Sequence, residues 1–401
     1  MKNNLKRGSI LFFIIFILIV SCYQPISALN IEKTLMKNVE NQILSSDDFD
    51  GKIEFLMKFA HAPSLSACII IEDEMVWSDG YGYFDIKNQK IPDEDTIYMA
   101  GSISKTFTSV ALLQLYEQGL FDLDDDVNDY LPFNLRNPDY PNESITIRML
   151  LSHQSSLSEP VFSFLMRYFF FDYSYEWLEE FLIPGGCIYD PSVWSDRHPG
   201  EGFEYANIGF EILGYIFELI SNETLEDYCE QNIFQPLGMQ NTSFHVDDFD
   251  ICNLAIPYVR KFGLYLPLPH YNIGSSAAGS IRTSISDLSK YLIMHMNEGV
   301  YDEVRILEED TIEMMHTIQY PGTSEYGLGW FIIESNGEIY SGHTGGVFGG
   351  IAIMFYRESD NVGVIFFINM NRVFRLWPHY LELFSIQQIQ AALFERANDF
   401  L

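Results

Sequence analysis

The stretch Gly101–Leu115 of this 401-residue chain has the sequence GSISKTFTSVALLQL. From Ser104 onward its apolar residues recur at helical spacing with almost no charge, which predicts a buried helix that ends at Gly119. Ser102 and Lys105 are three residues apart, so on a helix their side chains share one face. A serine beside an ammonium group at the positive end of a helix suits a nucleophile, whereas the structural interpretation makes Ser102 an N-cap.

The segments on both sides of this stretch predict an α+β fold. Before it, we predict a helix over residues 31–59 and a hairpin of strands at 66–72 and 75–83. From about 120 to 275 the pattern indicates helices and loops without a convincing series of strands. The last part of the chain is predicted to contain a helix at 286–297, antiparallel strands at 326–333, 339–342, 349–356 and 362–368, and a closing helix at 379–397.

Strands at both ends of the chain, with helices between them, predict an antiparallel sheet flanked by terminal helices and interrupted by an inserted all-helical domain. We assign residues 31–119 and 277–401 to the sheet domain and residues 120–276 to the inserted domain. The absence of a long linker makes them one unit, and a site is expected in the cleft that they share.

The first 28 residues have the features of a secretory signal peptide. Basic residues precede an apolar run of eleven residues, Ile10–Val20, which is too short to cross a bilayer. Three outcomes stay open: a bacterial-type lipobox that ends at Cys22 and would provide a lipid anchor, ordinary cleavage after Ile26–Ala28, and an uncleaved signal anchor. Each places the remaining chain outside the cytoplasm, secreted or anchored to the outer face of the membrane.

Composition excludes several classes of partner. With 56 acidic and 23 basic residues the formal net charge is −33, so nucleic acid and anionic lipid are not expected to bind the bulk surface. The five cysteines and nine histidines show no metal-ligand spacing, and neither a metal nor a cofactor is predicted. Residues 122–126 begin like a calcium loop but lack its later glycine and glutamate, which favours a solvated turn.

Two further segments carry polar side chains suited to a site. Glu204–Asn207 follows a turn and opens a predicted helix, so Tyr205 and Asn207 can both point into a cleft. Tyr340–Gly346 lies at the end of a predicted strand, and its glycines allow an extended substrate to approach the backbone closely. Each signal is weak alone, since a tyrosine such as Tyr205 is usually a half-buried aromatic residue of the core.

Together, and in this order, three motifs resemble those of the serine β-lactamase and penicillin-binding-protein superfamily: Ser102-x-x-Lys105, Tyr205-x-Asn207 and His343-Thr344-Gly345. The chain is most similar to the family of class C β-lactamases, D-alanyl-D-alanine carboxypeptidases and related esterases. The resemblance runs from about residue 35 to the C-terminus and includes six segments: Tyr81–Tyr83, Gly101–Thr108, Leu150–His153, Gln235–Met239, Tyr326–Trp330 and Gly342–Gly346.

The resemblance implies catalysis through an acyl-enzyme. Ser102 would be the nucleophile, and Lys105 and Tyr205 would deprotonate it and then protonate the leaving group; which of the two is the general base stays open. The backbone N–H groups of Ser102 and Gly346 would form the oxyanion hole. The residues implied to bind the substrate are Asn207, His343, Thr344 and Gly345.

Two histidines bear on this resemblance. Many β-lactamases have lysine where this chain has His343, and a neutral imidazole attracts a substrate carboxylate less strongly than an ammonium group does. His153 is interpreted as a buried structural histidine and not as a catalytic group.

The predicted function is therefore that of an extracytoplasmic serine hydrolase acting on amide or ester bonds of a small-molecule or peptide substrate. Carboxypeptidase-like, esterase-like and β-lactamase-like activities all stay open. Other serine hydrolases are disfavoured because the chain has no Gly-x-Ser-x-Gly elbow. The alternative is a non-catalytic protein of the same fold that binds or senses an acyl ligand or acts as a scaffold.

Overall fold

A computed structural model describes residues 48–160, 175, 177–274, 276–371 and 380–401. The predicted signal peptide, Cys22 and most of the helix predicted at 31–59 lie outside these residues. So does most of an aromatic-rich segment, residues 168–181 (YFFFDYSYEWLEEF), whose sequence favours the core of the inserted domain over a place in the cleft.

The strands of the described residues follow the α+β pattern. In chain order they are β1 (Ser64–Ile71), β2 (Glu74–Gly82), β3 (Tyr98–Met99), β4 (Tyr258–Lys261), β5 (Leu264–Pro267), β6 (Arg282–Thr283), β7 (Val300–Tyr301), β8 (Val304–Arg305), β9 (Phe331–Ser335), β10 (Glu338–Val347), β11 (Gly350–Arg357) and β12 (Val362–Ile368). Six of them form one antiparallel sheet in the order β2-β1-β12-β11-β10-β9. The pairing of β1 with β12 joins the two ends of the chain.

The α-helices of the described residues are α1 (Phe49–Ala60), α2 (Ser104–Glu117), α3 (Ile147–Leu151), α4 (Trp177–Leu182), α5 (Asn207–Ser221), α6 (Leu225–Cys229), α7 (Ser276–Gly279), α8 (Ile285–Met296), α9 (Glu309–Met315) and α10 (Tyr380–Ala397). Helices α1 and α10 pack against each other and against one face of the sheet. Helix α8 covers the other face, where the core continues into α2 and α5.

Alternation along β1 shows why the central strands are almost continuously apolar. Leu65, Ala67 and Ile69 belong to the core under α1 and α10, whereas Cys68 and Ile70 belong to the core under α8. Successive side chains of a strand point to opposite faces, so a strand covered on both faces needs apolar residues at every position.

Most of the predicted elements are confirmed, including the strand at 362–368, but three differ. The strand predicted at 339–342 continues to Val347 as β10. The strand predicted from Tyr326 begins only at Phe331, because Gly329 adopts a φ of +82° and turns the chain against α2. Residues 120–275 contain the hairpin of β4 and β5, which the sequence pattern did not indicate. The division into domains at residues 119 and 277 stays a prediction.

Three further observations concern the acidic turn, the cysteines and the helices. In the turn at 122–126, Arg148 binds Asp124 at 2.7 Å and Arg136 binds Asp126, so these carboxylates pair with cations. The cysteines of the described residues, Cys68, Cys187, Cys229 and Cys252, are unpaired. No helix among the described residues has both the length and the apolar composition needed to cross a membrane.

Candidate active site

Ser102 lies where the chain passes from the sheet side into α2. The short strand β3 ends at Met99, and a 3₁₀ turn, Gly101–Ile103, leads directly into α2 at Ser104. Gly101 has a φ of +56°, a conformation that favours glycine. Ser104 closes this turn through a hydrogen bond from its hydroxyl to the Gly101 carbonyl oxygen at 2.7 Å. The turn therefore holds Ser102 at the N-terminal end of a helix.

Lys105 is fully buried in the first turn of α2. Its Nζ donates hydrogen bonds to Ser102 Oγ at 3.1 Å, to Asn207 Oδ1 at 2.7 Å and to the Ala278 carbonyl oxygen at 2.7 Å. An ammonium group has three N–H donors, and three neutral oxygens surround it here. The buried ammonium group is thus stabilised by donating to acceptors on the Ser102 turn, on α5 and on α7. Because two of these acceptors are Ser102 and Asn207, Lys105 connects the first and second motifs.

The second motif lies at the start of α5. Asn207 is the first residue of this helix, and the ring of Tyr205, two residues earlier, has its centroid 5.1 Å from Lys105 Nζ. The N-cap residue, Ala206, has no side chain that could accept from the first N–H groups of α5. Glu159 does so instead: its Oε2 accepts from the N–H groups of Asn207 at 2.8 Å and Ile208 at 3.3 Å.

The third motif lies on the edge of the sheet. Strand β9 pairs with β10 only as far as Gly342, and no strand of the described residues pairs with residues 343–347 on that edge. A Cβ added to Gly345 would lie 1.8 Å from the Ala100 carbonyl oxygen, and one added to Gly101 would lie 2.9 Å from the Gly346 backbone nitrogen. The turn that carries Ser102 therefore passes directly against Gly345 and Gly346.

His343 lies at the buried centre of this arrangement. Its Nδ1 is 2.6 Å from the Thr344 carbonyl oxygen and its Nε2 is 2.9 Å from the Tyr326 hydroxyl. Burial, and to a smaller extent the positive charge of Lys105, lowers the pKa of His343 to about 3. The imidazole is therefore neutral at physiological pH.

His153 is also buried, and its ring centroid lies 4.3 Å from that of Tyr205. Its Nδ1 accepts a hydrogen bond from the Ala206 backbone N–H at 3.3 Å. Burial, followed by the charges of Lys105 and His343, holds its pKa well below the usual value. His153 Nε2 is buried without a hydrogen-bond partner among the described residues, so this histidine is not fully satisfied, and its interpretation as a structural residue stays a prediction.

The structure thus brings Ser102, Lys105, Tyr205, Asn207, His343, Thr344, Gly345 and Gly346 into one site; their catalytic and binding roles stay predictions. Reasoning from sequence did not assign a role to Glu159 or Tyr326. Tyr326 belongs to the segment Tyr326–Trp330, which resembles a family signature, and this resemblance could have marked it as a residue of the site. No local pattern connects Glu159 with a helix that begins 48 residues later.

Among the described residues, no group of three or more His, Cys, Asp or Glu side chains is arranged to hold a metal ion.

A serine–lysine pair at a helix start, placed under the glycine-rich edge of an antiparallel sheet, defines the β-lactamase/transpeptidase-like class of fold. The chain belongs to the β-lactamase family, whose model matches residues 49–378.

Three comparisons illustrate the relationship. Protein flp of Staphylococcus aureus (strain MRSA252) is 25% identical over 334 residues, which are 82% of this chain and 63% of that protein. The octameric penicillin-binding protein homologue from Pyrococcus abyssi is 28% identical with a TM-score of 0.68, covering 86% of this chain and 77% of the other. The D-amino acid amidase from Ochrobactrum anthropi SV3 is 21% identical with a TM-score of 0.69, covering 88% and 100%. The chain spans less than two thirds of the length of the first of these.

Proposed function

We propose that this chain is a serine hydrolase that cleaves amide or ester bonds through an acyl-enzyme on Ser102. One observation carries the proposal: the buried ammonium of Lys105 donates to Ser102 Oγ at 3.1 Å. Burying a charged group costs free energy unless the group is hydrogen-bonded, and a buried ammonium group beside a serine hydroxyl does not contribute to solubility. The arrangement suits a hydroxyl that must lose its proton.

The reaction follows from the positions of the groups. Ser102 Oγ attacks the carbonyl carbon of the substrate, and its proton passes to Tyr205 in the phenolate form or to Lys105 in the neutral amine form, so the group that acts as base must first have given up its own proton. The oxyanion that develops would lie between the backbone N–H groups of Ser102 and Gly346; the close approach of the turn to this strand supports this, since a Cβ added to Gly101 would lie 2.9 Å from the Gly346 nitrogen. The bond from the carbonyl carbon to the leaving nitrogen or oxygen then breaks as that atom takes up the proton, which leaves the acyl group on Ser102. Water attacks the acyl carbon next, gives its proton to the same base, and releases the carboxylic acid as Ser102 Oγ regains a proton.

The remaining residues of the site would orient the substrate. Residues 343–347 of β10 present an edge on which an extended substrate can lie as an additional strand. Thr344 and Gly346 are exposed on this edge. Asn207, fixed by Lys105 through its Oδ1, keeps its side-chain NH₂ group as a donor for a substrate amide.

The family and the solved relatives support this proposal. The protein from Ochrobactrum anthropi is a D-amino acid amidase, and this chain shares its fold. We propose a substrate of the same general class, a small molecule or peptide with an acyl group bound to nitrogen or oxygen.

The test is intact-mass analysis after exposure to a fluorophosphonate and, separately, to a penicillin. We expect an adduct of one acyl or phosphonyl group with at least one reagent, lost in Ser102→Ala. Ser109→Ala removes another buried hydroxyl of α2 and should keep the adduct. An unmodified wild-type mass with both reagents would contradict the proposal and favour the alternative of a non-catalytic acyl-ligand-binding protein.

We also propose that the protein works outside the cytoplasm, directed there by residues 1–28. Support comes from the basic residues followed by the apolar run Ile10–Val20. Expression of the full chain in a bacterium, followed by fractionation and mass analysis of the mature N-terminus, separates the outcomes. A lipidated Cys22 or cleavage near Ala28 supports the proposal, and a full-length chain in the cytoplasmic fraction contradicts it.

A further inference from the structure

His343 occupies the position in the third motif at which a substrate carboxylate would be bound by a cationic side chain, yet the residue is fully buried and both ring nitrogens have partners. A carbonyl oxygen can only accept, so the contact with Thr344 places a hydrogen on Nδ1. Because the ring is neutral, Nε2 carries a lone pair and accepts from the hydroxyl of Tyr326. The two contacts together define a single tautomer.

Tyr326 is held rigidly in the position that makes this hydrogen bond. It is fully buried, and three aromatic residues surround its ring: the centroid of Phe331 is 4.7 Å away, that of His153 4.9 Å and that of Phe203 5.7 Å. Burial raises the pKa of the Tyr326 hydroxyl well above its ordinary value, so it keeps its hydrogen and remains a donor.

We propose that Tyr326 is a positioning residue that locks His343 as the neutral Nδ1–H tautomer, and that the site accepts neutral amides and esters without recognising a carboxylate through residue 343. This inference rests on the proposed serine hydrolase function. A carboxylate that approached Nε2 would have to displace the Tyr326 hydroxyl and leave it buried without an acceptor, which is unfavourable. His343 instead donates a hydrogen bond from Nδ1 to the Thr344 carbonyl oxygen and so fixes the edge of β10.

Nitrogen NMR of protein labelled with ¹⁵N-histidine tests the tautomer directly and does not depend on activity. The His343 signals are identified by their loss in His343→Gln. We expect wild-type Nδ1 to be protonated and Nε2 to be unprotonated and hydrogen-bonded, and Tyr326→Phe to shift the Nε2 signal. Tyr356→Phe is a matched control, because it removes the hydroxyl that contacts His316 Nδ1 at 2.8 Å and should leave the His343 signals unchanged. A protonated Nε2 in the wild type, or no shift in Tyr326→Phe, would overturn the proposal.

Kinetics with two substrates that share the acyl group tests the specificity. One carries a carboxylate on the leaving group and the other its neutral methyl ester. We expect kcat/KM values within about threefold of each other in the wild type, and a kcat at least tenfold lower in Tyr326→Phe with little change in KM for either substrate. A tenfold preference for the carboxylate that disappears in His343→Gln would overturn the inference. A wild type that no acylating reagent modifies would instead refute the proposed function and leave the NMR result standing.

Discussion

The ammonium group of Lys105 lies 3.1 Å from the hydroxyl oxygen of Ser102, across one turn of the chain. The same group donates to Asn207 Oδ1 and to the Ala278 carbonyl oxygen, each at 2.7 Å. Lys105 therefore links the serine hydroxyl to the first residue of α5 and to α7. A displacement of either helix would move the ammonium group and, with it, the hydroxyl of Ser102.

Replacement of the buried ammonium group tests this coupling. We expect Lys105→Met, which keeps the length of the side chain without its charge, to slow labelling of Ser102 by a fluorophosphonate by at least about 100-fold, the usual contribution of a general acid or base. Intact-mass analysis over time gives the rate, and circular dichroism checks that the variant is folded. Labelling of a folded variant at the wild-type rate would show that Lys105 does not activate the serine.

The carboxylate of Glu159 should stabilise α5 and keep Asn207 in register. Glu159→Ala leaves the N–H groups of Asn207 and Ile208 without this acceptor, and we expect a loss of about 1 kcal/mol in the free energy of unfolding together with a lower kcat. Glu159→Gln retains a side-chain oxygen and should recover part of both. Thr224→Ala removes the N-cap of α6 at a similar cost in stability and should leave kcat unchanged. Equal effects of Thr224→Ala and Glu159→Ala on kcat would contradict a positioning role for Glu159.

Close packing of the Ser102 turn against β10 predicts that Gly345 cannot be replaced. In Gly345→Ala the new Cβ would lie 1.8 Å from the Ala100 carbonyl oxygen, so the strand or the turn must move. We expect a loss of about 1–3 kcal/mol, as for overpacking in a core, and loss of labelling at Ser102. Gly209→Ala, within α5, serves as the control. Its new Cβ would lie 3.6 Å from the nearest atom, Leu150 Cδ2, which is an ordinary van der Waals distance. Urea denaturation and the labelling rate measure both effects, and a fully active Gly345→Ala would contradict the packing argument.

A buried histidine in the helix-side core should make stability fall in mild acid. His295 packs against Tyr291, His316 and Trp330, and burial, with a smaller effect from the charge of His316, holds its pKa well below the value of about 6.5 in an unfolded chain. Below pH 6.5 the unfolded state therefore binds a proton that the folded state does not, so stability decreases as the pH falls.

Each such histidine contributes about 1.4 kcal/mol per pH unit to this slope. We expect His295→Phe to flatten the dependence of the urea midpoint between pH 6.5 and pH 5. Ser109→Ala removes a buried hydroxyl group that does not titrate and should leave the slope unchanged. An unaltered slope in His295→Phe would show that His295 is not neutral in the folded protein.

Local pattern was sufficient for much of the fold. The apolar run at 362–368 is a strand with those bounds, and the described part of the closing helix, α10, ends at residue 397 as predicted. Such elements are strongly apolar or amphipathic over many residues. The predicted strand at Tyr326 was wrong in its start, because the turn at Gly329 is set by the contact of that glycine with Ser109 of α2, a residue more than two hundred positions away.

The sequence by itself determined the α+β class and the order of the three motifs, because helical and strand periodicities and short spacings such as Ser102 to Lys105 are local properties. The tertiary structure decided what surrounds each group. Glu159 at the start of α5, and Tyr326 against His343, are contacts between distant segments that no spacing encodes. The partners of a polar group, and how far it is buried, depend on which segments the whole fold brings together, and they decide here that residue 343 is a neutral, fully hydrogen-bonded imidazole.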